Sequence, residues 1–292
     1  MGYKEDIIRS FKNGDTLTKL IYINLGVFLV VGLINVFLLL FKIDASWLNH
    51  SLALSSEWSD VIRNPWTPIT YMFLHFSFIH LIFNILTLYW FGKIFLTYYS
   101  QRDLVGLYLF GGLLGGSLYF GAYAIFPLFE NQSGSLCGAS AAIMAIIVAC
   151  ARTNPEQSIR LVLVGDVRLK WLAIFAILLS VLNLASENTG GNISHLGGAL
   201  AGFLYVYFQQ RGKNITSGIN KIIDKLVNLI QRGRQSKMNV SYRRPMSDQE
   251  YNYQKRKQSE QIDLILDKIK KNGYDSLTKE ERDQLFTASR RN

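Results

Sequence analysis

Residues 20–41 carry no charged side chain. A helix over this stretch is about 33 Å long, enough to cross a hydrocarbon core roughly 30 Å thick. The run is too long for a signal-peptide core and lacks a small-residue cleavage site, so it is expected to be a retained span. Five further apolar segments follow before residue 210: about 76–96, a glycine-rich 104–126, a short 138–151, 169–185 and 193–208. Of the 292 residues, 49% are hydrophobic and 18% charged, against about 25% charged in soluble domains. This balance excludes a disordered chain and argues against an ordinary soluble enzyme. Cys137 and Cys150 are too few for a disulfide framework, and they lie 13 residues apart in an apolar region.

The net charge of +10 is unevenly spread. Residues 211–292 hold 19 Lys and Arg against 10 Asp and Glu, whereas residues 1–210 hold 12 against 11. The chain divides into a nearly neutral oily body and a basic tail, a pattern that does not point to nucleic acid. Lys and Arg set orientation by remaining on the cytoplasmic side. With a cytoplasmic N-terminus, Lys4, Arg9, Lys12 and Lys19 lie inside. So do Lys93, Arg102, Arg152, Arg160, Arg168 and Lys170, leaving only Lys42 and Arg63 outside. Six spans then return the C-terminus to the cytoplasm, as expected of a multi-pass protein of a cell (inner) membrane. The first outer loop, residues 42–75, carries Trp47, Trp58 and Trp66; tryptophan favours the membrane interface.

Polar groups within a bilayer are costly and usually functional. The second segment opens with His75, His80 and Asn84, the last two on one helical face. The fourth opens with Gly138-Ala139-Ser140-Ala141, and the sixth carries His195 just ahead of Gly198 and Gly202. Segments two, four and six run in the same direction, so these polar residues are expected at one depth near the outer surface. The small residues around Ser140 and the Gly198-x3-Gly202 pair allow two helices to approach closely, placing Ser140 beside His195. A packing seam with a backbone-bonded serine is the alternative for either residue alone. A serine beside a histidine is the minimum for nucleophilic acyl transfer. Ser140 at a helix N-terminus, with His80 and Asn84 near it, offers donors to an oxyanion. No Asp or Glu lies near enough to complete a triad. No metal and no cofactor is called for.

Taken together, these residues resemble the rhomboid family of intramembrane serine proteases, over about residues 60–210. The resemblance rests on Trp66, the His75-x4-His80-x3-Asn84 pattern, Gly138-x-Ser140, and His195 with Gly198-x3-Gly202. It implies a six-helix transmembrane bundle, all-α, with a water-filled site open to the outer face. It implies Ser140 as nucleophile, His195 as general base, and an oxyanion site of His80, Asn84 and the Ser140 N–H. His75 matches a position that supports the first loop. Three positions differ from the family pattern: Thr67 stands where an arginine is common, Ala141 where a glycine is usual, and Met144 where an aromatic often stacks on the histidine.

The expected organisation is a cytoplasmic segment 1–19, a membrane domain 20–210, a basic linker 211–246 and a small helical cytoplasmic extension 247–292. Within the linker, Ile222, Leu226 and Ile230 suit an amphipathic turn against the inner leaflet. In the extension, Ile262, Leu264, Ile265 and Ile269 mark one short helix, Lys271-Asn272-Gly273 a stop, and Thr278 with Glu281 the capping box of a second. The tail resembles an extension found on some bacterial rhomboids; its charge suits anionic lipid or a cytoplasmic partner, a solvated appendage being the alternative. The expected function is cleavage of transmembrane helices of membrane-protein substrates near their outer ends. The competing readings are a catalytically silent relative that binds client helices and a transporter. Against the transporter stand the lack of intramembrane acids and of an inverted repeat.

Overall fold

The computed structural model describes residues 11, 14–161, 165–186, 188–232 and 248–289. They fall into two compact units, Met1–Arg232 and Gly233–Asn292.

The first unit opens with helix α1, Thr16–Leu40, capped by Asp15, whose carboxylate accepts from the Thr18 N–H at 2.8 Å. Residues 41–77 hold three short helices, α2 (Ser46–Leu52), α3 (Trp58–Arg63) and α4 (Thr67–Thr70), and the two-residue strand β1 (Leu54–Ser55). Helices α5 (Phe78–Tyr98) and α6 (Gln101–Ile125) follow, then β2 (Ser135–Leu136) and α7 (Ser140–Thr153). Strands β3 (Ser158–Leu161) and β4 (Gly165–Arg168) form a hairpin before α8 (Leu169–Leu182) and α9 (Thr189–Gln209). Helix α10, Ser217–Arg232, closes the unit.

Six of these helices, α1 and α5 to α9, pack as an all-α membrane bundle. By length and composition α1, α5 and α6 suffice to cross a membrane; α7 and α8 are shorter and apolar. The outer faces of α1, α5 and α8 expose large apolar residues such as Leu33, Phe83 and Phe175. In water such a belt would be a liability; in lipid it is solvated. Helix α7 sits at the centre, in contact with α5, α6, α8 and α9. It is buried from Ala141 to Ala151.

Several helix ends differ from the sequence expectation, each for a local reason. Helix α5 starts at Phe78 because Ser77 is extended, so His75 lies in the connecting turn rather than on the helix. Helix α7 starts at Ser140 because Gly138 takes φ +117°, a left-handed conformation that a helix excludes. Helix α9 gains a polar first turn from Thr189, held where Asn192 Nδ2 donates to the Asn183 carbonyl at 2.8 Å. The two small sheets were not expected. The β1–β2 pair joins Leu54 to Leu136 and Ser55 to Ser135. It fastens the first loop to the segment that leads into α7. The β3–β4 hairpin, whose residues 162–164 lie outside those described, is flanked by Glu156, which bonds Arg168 at 2.8 Å and also Lys170.

The stretch expected to be a linker begins inside the first unit. Asn214 Nδ2 donates to Asp103 Oδ1 at 2.8 Å, and the Thr216 N–H to Asn214 Oδ1 at 2.9 Å. Arg102 pairs with Asp224. These bonds dock α10 on the start of α6. Its Ile222 is exposed, while the side chains of Leu226 and Ile230 lie outside those described, as do Lys4, Arg9 and Lys12.

The second unit contains α11, Asp248–Asn272, and α12, Lys279–Ser289. Helix α11 is 25 residues long rather than short, and it ends where Gly273 takes φ +78°. Ile265 is buried and Leu264 exposed. Thr278 and Glu281 cap α12 reciprocally: the Thr278 N–H donates to Glu281 Oε2 at 2.8 Å and the Glu281 N–H to Thr278 Oγ1 at 3.3 Å. Lys268 of α11 binds both oxygens of Glu281 at 2.9 Å.

Candidate active site

Ser140 is the first residue of α7, and His195 lies nearly two turns into α9, which starts at Thr189. The Ser140 hydroxyl and His195 Nε2 are 2.7 Å apart, a hydrogen bond between residues 55 positions apart. The helices can meet this closely because α9 presents glycine to the backbone of α7. A Cβ on Gly198 would strike the Ala141 carbonyl oxygen, and one on Gly202 the Ala145 carbonyl oxygen. Gly115 of α6 adds a third side: a Cβ there would lie 2.7 Å from both the Ala141 Cβ and the Ser194 carbonyl. Close packing of small residues, rather than hydrophobic burial, is what brings helices together in lipid. Here it places a serine hydroxyl and an imidazole within a hydrogen bond.

The far side of the imidazole is also occupied. His195 Nδ1 lies 3.3 Å from Ser180 Oγ of α8. Ser180 is buried, and its hydroxyl donates to the Ala176 carbonyl at 3.0 Å.

His75, His80 and Asn84 form a second cluster beside the start of α7. His75 Nδ1 donates to the Phe73 carbonyl at 3.2 Å, which leaves Nε2 as an acceptor. That nitrogen receives the Asn84 amide at 3.1 Å and the Ala139 N–H at 3.5 Å. His75 thus ties the first loop, α5 and the residue before Ser140 to one atom. His80 meets the His75 ring edge-on at 5.2 Å between centroids. Its Cε1 would lie 2.8 Å from a Cβ on Gly138. Gly138 is therefore required twice, by its φ and by the imidazole against it. The first-turn N–H groups of α7 have no carbonyl four residues back and face this region with the positive end of the helix dipole.

Trp66 Nε1 donates to the Ser51 carbonyl at 2.7 Å. Thr67, at the position where an arginine is common, is buried and donates to the Asn64 carbonyl at 2.8 Å, so the loop turn is held by a hydroxyl. Met144 lies in the core. Two features escaped the sequence: Ser180, and the dependence of Asn84 on His75. Ser180 had a signal, being the single hydroxyl among the apolar residues 171–182; a polar group in such a setting calls for a partner.

A six-helix membrane bundle that holds a serine and a histidine in a hydrogen bond defines a class of intramembrane site, and the comparisons with known proteins give the family of the bundle. The rhomboid domain family matches residues 63–211, half of the chain, and the chain belongs to that family. A family of unknown function, DUF6576, matches residues 247–291. Among curated proteins, the chain is 28% identical over 138 residues to Presenilin-associated rhomboid-like protein A, mitochondrial, of Danio rerio, covering 46% of this chain and 35% of that one. It is 30% identical over 147 residues to RHOMBOID-like protein 12, mitochondrial, of Arabidopsis thaliana, covering 46% of this chain and 43% of that one. The chain thus spans less than half the length of these relatives.

Proposed function

We propose that this multi-pass membrane protein is a serine endopeptidase that cleaves transmembrane helices of membrane-protein substrates near the outer face. The observation that carries the reading is the 2.7 Å hydrogen bond between Ser140 Oγ and His195 Nε2. In this reading Nε2 takes the hydroxyl proton as Oγ attacks the scissile carbonyl, and later returns it to the leaving amine. Water then repeats the sequence on the acyl-enzyme. The oxyanion is met by the Ser140 N–H, by His80 and by Asn84, whose amide is pre-aimed by His75. The membrane domain 20–210 holds this chemistry. The extension 247–292 has no part in it and is available to a cytoplasmic partner or anionic lipid. The Lys and Arg distribution supports a cell (inner) membrane with both termini cytoplasmic; the two curated relatives are named as mitochondrial proteins.

Purified protein should cleave a reporter transmembrane helix and be labelled by a fluorophosphonate at Ser140. Ser140→Ala should lose both while keeping the parental thermal unfolding profile. Cleavage that persists in Ser140→Ala would end the serine-protease reading. A parent that neither cleaves nor labels would favour the silent, client-binding reading instead.

A further inference from the structure

We propose that Ser180 is a positioning residue that selects the basic tautomer of His195. The inference rests on the reading of Ser140 and His195 as nucleophile and base.

Proton counting carries it. A serine hydroxyl has one proton to donate and lone pairs to accept with. In apolar helices that proton ordinarily goes to the carbonyl four residues back, and Ser180 follows the habit, donating to Ala176 at 3.0 Å. With its proton committed, Ser180 turns only a lone pair toward His195 Nδ1, 3.3 Å away. Nδ1 must then be the protonated nitrogen. Nε2 is left with a free lone pair, and it faces the Ser140 hydroxyl at 2.7 Å.

The opposite tautomer satisfies fewer groups. With the proton on Nε2, the ring would donate to Ser140 and Ser180 would swing its proton to Nδ1. Its bond to Ala176 would be lost, and the Ser140 proton would point at no acceptor in this chain of bonds. The observed distances thus support three consecutive donations, Ser140 to His195, His195 to Ser180, and Ser180 to Ala176. The competing arrangement supports two.

The consequence for the reaction is direct. As Ser140 attacks, its O–H bond breaks and an N–H bond forms at Nε2, while Oγ bonds the carbonyl carbon and the C=O π pair moves onto the oxygen as the oxyanion. The Nδ1 proton stays on the ring throughout, still held by Ser180, and no proton passes to the serine. A neutral hydroxyl on α8 thereby fills the orienting place that a carboxylate takes in a three-residue site. Its effect is smaller because it adds no charge.

The test uses the full-length protein in detergent and compares Ser180→Thr with Ser180→Val. The two side chains share a shape, and only threonine keeps the hydroxyl and its bond to the i−4 carbonyl. Ser180→Val should lower kcat about tenfold relative to Ser180→Thr, the scale of one neutral hydrogen bond, with KM nearly equal. Nitrogen-15 spectra of histidine-labelled protein should place the His195 proton on Nδ1 in the parent and in Ser180→Thr, and a mixture of tautomers in Ser180→Val. Equal kcat in the two variants, or a proton on Nε2 in the parent, would overturn the inference. The spectra read the tautomer whether or not the parent cleaves. Absence of cleavage in the parent therefore counts against the proposed function, and a wrong tautomer counts against Ser180.

Discussion

His75 shows how much one atom can organise. Its Nε2 receives both the Asn84 amide and the Ala139 N–H, so it fixes a side chain of α5 and the backbone entering α7. Asn84 is therefore not a freely rotating donor. This linkage was hidden in the sequence because residues 74–77 are not helical, and helical spacing says nothing about which atoms a turn brings back. Ser140 and His195 were legible for the opposite reason: each stands on a regular helix among small residues, where spacing does report position. The roles predict an order of severity. His195→Ala should abolish cleavage, since loss of a general base alone costs about 10²–10⁴ in rate. Asn84→Ala should cost less, because the Ser140 N–H and His80 remain. Cleavage kinetics of the two purified variants check this; a mild His195→Ala with an inactive Asn84→Ala would reverse the assignments.

At the scale of elements, the α7–α9 seam is where sequence and structure speak the same language. A four-residue glycine period on α9 lies against two carbonyls of α7, Ala141 and Ala145, also four residues apart. A backbone oxygen cannot rotate out of the way as a side chain can. Gly198→Val should therefore push the helices apart, and a displacement of about 1 Å can cost about 10²-fold in rate. Thermal stability should fall with it. Gly26→Ala is the matched control: nothing lies within 4 Å of a Cβ there, and an alanine in mid-helix is favoured over glycine by about 0.5–1 kcal/mol. Cleavage rate and unfolding temperature should drop together in the first variant and hold or rise in the second. The β1–β2 pairing had no such signature. It joins residues some eighty positions apart through two pairs only, too short a stretch for alternation to register.

Over the whole molecule, charge and hydropathy separated the oily body from the basic tail, but not where the body ends. Residues 211–246 read as a basic, partly helical linker with an amphipathic turn against the inner leaflet, and residues 212–232 fall within it. The structure spends them on the body instead, pairing Arg102 with Asp224 and Asn214 with Asp103. In the second unit the Lys268 ammonium, then the Thr278 N–H, hold the Glu281 carboxyl below the usual carboxylate range. A lowered value means the cap contributes fully above that range and is lost as pH falls below it. Hydrogen-exchange protection of residues 279–289 in the full-length protein should decline on acidification. In Glu281→Gln it should be weaker at neutral pH and flat across the same window. Finally, α7 has 14 residues, about 21 Å of helix, which is about 9 Å less than a roughly 30 Å hydrocarbon layer. On the proposed reading, the bond of a client helix that meets Ser140 depends on how deep the serine stands, at about one residue for each 1.5 Å of helical client. The bilayer would then serve as the ruler from which the cut is counted.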